Sequence, residues 1–128
     1  MKPYFTVALS IFTGIGIGGA AVQTIHAQAK PPAYLIAMNE VSDPTNYVKD
    51  YADKATTIVK SKGARILVRG GRVVALDGEP PKARLVVQQW ESMDKLQDWY
   101  NSAEMKDLRE VGKKYARFKT FAVEGFSE

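Results

Sequence analysis

Hydrophobic and polar positions change their period several times between residues 33 and 125. "AYLIAMNEV", 33–41, is a mostly apolar run of strand length with prolines before it and a turn signal behind it, which predicts a first strand. From there to Gly63, Tyr47, Val48, Tyr51, Ala52, Ala55, Ile58 and Val59 recur at helical spacing and make one apolar face. Asp43 suits the N-cap, Pro44 the first helical position, and Gly63 the left-handed stop. "ARILVRGG", 64–71, reads as a second strand ending in a glycine pair, and "RVVALDGE", 72–79, as a short extension that turns at Asp77-Gly78. "KARLVVQQWE", 82–91, is a third strand. A helical pattern capped by Ser92 presents Leu96, Trp99 and Tyr100, then restarts at Ser102 with Met105, Leu108, Val111 and Tyr115. "KTFAVEG", 119–125, closes as a fourth strand.

The order βαββαβ predicts an α+β fold of ferredoxin-like type, with helices on one face of a four-stranded antiparallel sheet. Alternation then assigns the faces. Tyr34, Ile36 and Met38 point one way in the first strand, while Leu35, Ala37, Asn39 and Val41 point the other. In the third strand Leu85 and Val87 oppose Val86 and Trp90, with Arg84, Gln88 and Gln89 as polar insertions. Helices cover only one side of such a sheet, so a second apolar side calls for another copy of the chain. A homodimer of facing sheets is the expected closure.

The first 29 residues are a different material. Lys2 is followed by an uncharged run at 7–22 that is short and glycine-rich for a membrane span, and then by "AQA" at 27–29. This pattern predicts a signal peptide, Met1 to Ala29, cleaved after Ala29, and a single domain over 30–128 that is periplasmic or secreted, without stable membrane insertion once the signal is removed. The only histidine, His26, would leave with that peptide, and the chain has no cysteine. Metal centres built on imidazole or thiolate, thiol catalysis and a Ser-His-Asp triad are therefore not expected, and no cofactor is. The net charge of +4 is spread among mixed signs with no basic stripe interleaved with aromatics, so nucleic acid is not an expected partner.

"PPAYLIAMNEVSDPTNYVKDY", the long stretch from "GARILVRGG" through "DWYNSAEMKDLR", and the closing "FAVEG" together resemble the bacterial family called domain of unknown function 1330 (DUF1330). The likeness spans nearly all of 33–125. It implies the fold of the dimeric α/β-barrel superfamily, whose relatives include small monooxygenases and lactone isomerases, and a cavity between two sheets. It implies no reaction, since the family has none assigned, and fold alone does not fix function.

Candidate site residues come from the chemistry each could bring to such a cavity. Arg69, beside Gly70-Gly71, has the planar fork that holds a carboxylate. Tyr34, Tyr51 and Tyr100 offer phenolic donors, and Trp90 and Trp99 offer aromatic walls, with core and interface packing as their competing role. Glu40, at the end of the first strand, is the one candidate catalytic base, acting only if burial raises its pKa; a solvated strand end is the competing reading. Three functions remain open: binding of a small, partly apolar or anionic molecule, a cofactor-independent enzyme performing proton transfer or oxygenation, and a structural dimer with a filled interior.

Overall fold

The structure, a computed structural model, describes residues 30–126; the expected signal segment Met1 to Ala29, with His26, lies outside them. β1 (Ala33–Val41) leads into a helical stretch of three parts: α1 (Pro44–Tyr47), a π turn (Val48–Ala52) and α2 (Asp53–Ser61). β2 (Arg65–Arg69), β3 (Arg84–Trp90), α3 (Met93–Tyr100), α4 (Ala103–Gly112) and β4 (Ala116–Glu124) follow. The caps are those the sequence marks. Asp43 Oδ1 accepts from the Asn46 amide at 3.2 Å, and the Asn46 side chain and amide together hold the Asp43 carboxyl below its usual range. Ser92 and Ser102 accept from the amides three residues on, at 3.2 and 3.3 Å. Gly63 takes φ +89 as the left-handed stop.

The sheet order is β2-β3-β1-β4, antiparallel throughout, so β1 is flanked on both sides. Its side chains alternate as predicted. Ala33, Leu35, Ala37 and Asn39 are buried under the helices, and Tyr34, Ile36 and Met38 lie on the opposite face. Two expectations shift. β4 begins at Ala116, earlier than residue 119, because its ladder runs the length of β1 from Ala33↔Glu124 to Val41↔Ala116 and the Ser42 amide still reaches the Tyr115 carbonyl at 2.8 Å. The extension at 72–79 makes no strand: Gly70 and Gly71, at φ +72 and +102, turn the chain off the sheet, and Leu76 is left 95% exposed with no ladder partner.

Two apolar clusters sit between sheet and helices. The larger joins Ala33, Leu35 and Ala37 to Val59, Trp90, Leu96, Trp99 and Met105, with the Trp90 and Trp99 rings 4.8 Å apart. The smaller gathers Tyr47, Ala52 and Ala116 with Tyr51 and Phe118 around the π turn. In that turn the Asp53 amide donates to the Val48 carbonyl, five residues back, which widens the helix where Tyr47 and Tyr51 stack at 5.5 Å. Gly112, at the end of α4, fits against this cluster: a Cβ there would stand 2.6 Å from Tyr51 Cδ1 and 2.7 Å from Phe118 Cζ. Burial pushes the Tyr51 phenol well above its ordinary pKa, with the neighbouring Tyr47 adding to the effect.

Two outcomes follow from this cluster. Gly112→Ala gains about 1 kcal/mol of helix propensity but forces two rings aside, for an expected net loss of about 1–2 kcal/mol in chemical denaturation; an equal or higher midpoint would contradict the packing. Because the folded pKa of Tyr51 lies above the unfolded value of 10.0, the neutral phenol's contribution is complete below pH 10 and is lost as pH rises beyond it. The stability of Tyr51→Phe is therefore expected to fall less steeply above pH 10 than that of the parent chain, and parallel curves would remove this assignment.

Candidate functional site

A cavity opens between the helices and the covered face of the sheet, within one chain. Its free space, counted together with the solvent at its mouth, is about 630 Å³. Small side chains make the void, with Ala37 from β1, Ala52 from the π turn and Ala55 from α2 facing larger neighbours. The sequence reading set the chamber between two facing sheets; this one lies on the other side of β1, because the period-two alternation turns Leu35, Ala37 and Asn39 toward it.

The walls are polar at defined points. Asn39 is buried to 3% exposure, and its Nδ2 donates to Tyr47 Oη at 2.8 Å while its Oδ1 has no partner. Arg84, opposite Asn39 in the β1–β3 register, holds its guanidinium carbon 5.6 Å from the Tyr47 ring centre. Gly70 stands close enough that a Cβ would lie 3.3 Å from Arg84 Nη1, which gives the Arg-Gly-Gly turn a reason beyond its dihedrals. Arg109, on α4, lies 3.8 Å over the Tyr100 ring. The buried side-chain atoms without a hydrogen-bond partner among the described residues are Asn39 Oδ1, Arg84 Nε, Trp99 Nε1 and Arg109 Nη1, and all four side chains line this cavity. All four thus face one void, where water or a ligand can supply the missing partner.

The sequence candidates separate. Arg69, Tyr51 and Tyr100 line the cavity. Arg69 stands at its exposed rim with its fork engaged, Nη2 lying 2.6 Å from Asp53 Oδ1. Tyr51 is held as a neutral phenol by its raised pKa, a donor rather than a base at neutral pH. Trp90 is buried beside the cavity and gives its Nε1 proton to Gln88 Oε1 at 2.9 Å, so it is satisfied as a core residue, whereas Trp99 is not. Tyr34 lies on the uncovered face, against the position of Gly125. Glu40 is exposed on that same face, 3.8 Å from Arg117, so it meets neither Arg69 nor the cavity.

Sequence reasoning did not assign site roles to Asn39, Arg84 and Arg109, and for Trp99 it weighed an aromatic wall against core or interface packing. The signals existed. Asn39 shares its parity with Leu35 and Ala37, Arg84 shares its own with Val86 and Trp90, and Arg109 follows Met105 by one helical turn on the apolar face of α4.

Solved structures with this fold share little sequence with the chain. A protein of unknown function from Rhodopseudomonas palustris is 7% identical, with a TM-score of 0.61 over 85% of this chain and 94% of its own. A conserved protein of unknown function from Bacteroides thetaiotaomicron is 11% identical, with a TM-score of 0.53 over 76% of this chain and 100% of its own. A single-residue variant of SnoaB, a cofactor-independent oxygenase from Streptomyces nogalater, is 7% identical, with a TM-score of 0.52 over 78% of this chain and 97% of its own. These likenesses bear on the fold alone. No curated protein sequence matches the chain. Residues 32–126, which hold every element of the sheet and its helices, match the family described as Domain of unknown function (DUF1330), and the chain belongs to that family.

Proposed function

We propose that the chain binds a small organic anion in the cavity beneath its helices. One observation carries this reading. Three arginines and no carboxylate line the cavity; Arg69 is paired with Asp53, while Arg84 and Arg109 form no ion pair and donate no hydrogen bond among the described residues. Both side chains are half-buried, with one nitrogen of each shut away from solvent and unpaired, and an incoming anion supplies the acceptor. The void argues against a filled, purely structural interior. The alternative of a cofactor-independent enzyme draws on the oxygenase among the fold relatives. Proton abstraction would need a base in the wall, where Tyr51 is a neutral phenol and Glu40 is absent, so binding is the better-supported reading.

The reading includes a dimer. The uncovered face of the sheet carries Tyr34, Ile36, Met38, Leu85 and Val87, and at its edges Val68, Phe121 and Val123 are 38–48% exposed. An apolar surface of this extent on one sheet is best covered by its own twin, which leaves both cavities intact on the outer side.

Calorimetric titration with malonate at low ionic strength is expected to give a measurable affinity that Arg84→Gln and Arg109→Gln each weaken about tenfold or more, the worth of one charge-assisted hydrogen bond. No heat with malonate, acetate, propionate or benzoate would withdraw the proposal. Sedimentation at micromolar concentration is expected to show a dimer that Phe121→Asp converts to monomer; a monomeric parent chain would remove the facing-sheet arrangement.

A further inference from the structure

The buried atoms of the cavity wall that lack a partner are of two chemical kinds, and both constrain the anion whose binding is proposed above. Nε of Arg84, Nη1 of Arg109 and Nε1 of Trp99 are donors. Oδ1 of Asn39 is an acceptor. Asn39 is 3% exposed, and the bond from its Nδ2 to Tyr47 Oη at 2.8 Å orients the amide so that its carbonyl oxygen is the end left over. Arg84 stands directly across from it in the β1–β3 register and lines the same cavity. Both side chains adjoin Tyr47, Asn39 at the hydroxyl and Arg84 at 5.6 Å from the ring centre. A neutral acceptor and a cationic donor therefore belong to one corner of the wall.

A carboxylate carries only acceptors, so it answers the Arg84 donor and leaves the Asn39 oxygen unanswered. An ammonium would donate to that oxygen, but three arginines and no carboxylate line the cavity, and its charge is opposed there. A hydroxyl donates without charge and can accept from a neighbouring N–H at the same time. We infer that the ligand is a hydroxy acid whose carboxylate meets Arg84 and whose hydroxyl, borne on a nearby carbon, donates to Asn39 Oδ1. Asn39 is then the residue that sets specificity, because a buried group made to bond a hydroxyl rejects the analogue that lacks one. The inference rests on the anion reading and goes beyond it in the neutral group that the anion carries.

Matched acids test it on the purified chain by calorimetry at pH 7.5 and low ionic strength: lactate against propionate, and mandelate against phenylacetate, pairs of equal charge that differ by one hydroxyl. Each hydroxy acid is expected to bind about three- to tenfold tighter than its partner, the worth of one hydrogen bond to a buried acceptor. Asn39→Leu is expected to bring both ratios close to one while propionate still binds, because the carboxylate contact belongs to Arg84. A residue that only supported the fold would weaken all four acids alike and leave the ratios unchanged, and that result would overturn the assignment. Alanine, with an ammonium in place of the lactate hydroxyl, is expected to bind more weakly than lactate. Equal affinities within both pairs of acids, with water completing Asn39, or alanine binding more tightly than lactate, would overturn the hydroxyl assignment and leave the anion reading in place. Absence of binding by all of them would remove both. The parent chain's own ratios decide the matter even if the variant fails to fold.

Discussion

The register of β1 between β3 and β4 is the constraint from which both faces of the molecule follow. A central strand with two neighbours has no freedom to slip, since a shift of one residue would carry Leu35, Ala37 and Asn39 to the uncovered side and bring Tyr34, Ile36 and Met38 under the helices. With the register fixed, Asn39 is held between Arg84 on one side and Phe118 on the other, and the Tyr47 hydroxyl descends onto its amide. The same register gathers the apolar residues of the uncovered face into one surface. Cavity and uncovered face are thus two consequences of one hydrogen-bonded ladder.

The void itself is a matter of side-chain size at that ladder. Ala37 sits at the centre of β1, facing Val86 and Thr120 across the strands, and the alanines of the π turn and α2 stand above it. Leucine at those positions would fill the space. Large residues are instead placed at the margins, where the two tryptophans stack on one side and Tyr47, Tyr51 and Phe118 on the other. The π turn contributes by widening the helix at Tyr51, and Gly112 lets α4 approach closely enough to close that end. Packing is tight around the chamber and loose within it, the arrangement that keeps a cavity from collapsing.

Periodicity and caps made most of this fold legible. Asp43, Pro44, Gly63, Ser92 and Ser102 mark boundaries by local chemistry that the tertiary structure does not override. The failures have physical causes. Val73, Val74 and Leu76 have strand propensity, yet propensity makes no strand without a ladder partner, and the glycine pair directs the chain away from one. The start of β4 depends on pairing with a strand some eighty residues away, which no local window contains. The site was read less well because single polar residues on apolar faces were treated as interruptions: Asn39 and Arg84 belong to the covered face by parity, and their partnership needs the β1–β3 register to be seen. Glu40, next to Asn39, illustrates the same rule in reverse, since one step along a strand moves a side chain from the chamber to solvent.

The contrast among the three arginines explains how charge is kept available inside a folded chain. Arg69 is held in the usual way, by a carboxylate that takes one of its terminal nitrogens. Arg109 lies 3.8 Å over the Tyr100 ring, and Arg84 stands farther off, 5.6 Å from the centre of the Tyr47 ring. A ring attracts the flat face of the guanidinium through its quadrupole and leaves the in-plane N–H groups unspent, so the side chain is positioned without being neutralised. One nitrogen of each has no partner among the described residues, Nε of Arg84 and Nη1 of Arg109. A ring in that place, unlike a carboxylate, leaves the charge of the guanidinium uncancelled. The unpaired donors of the wall are therefore the feature on which the proposed binding rests.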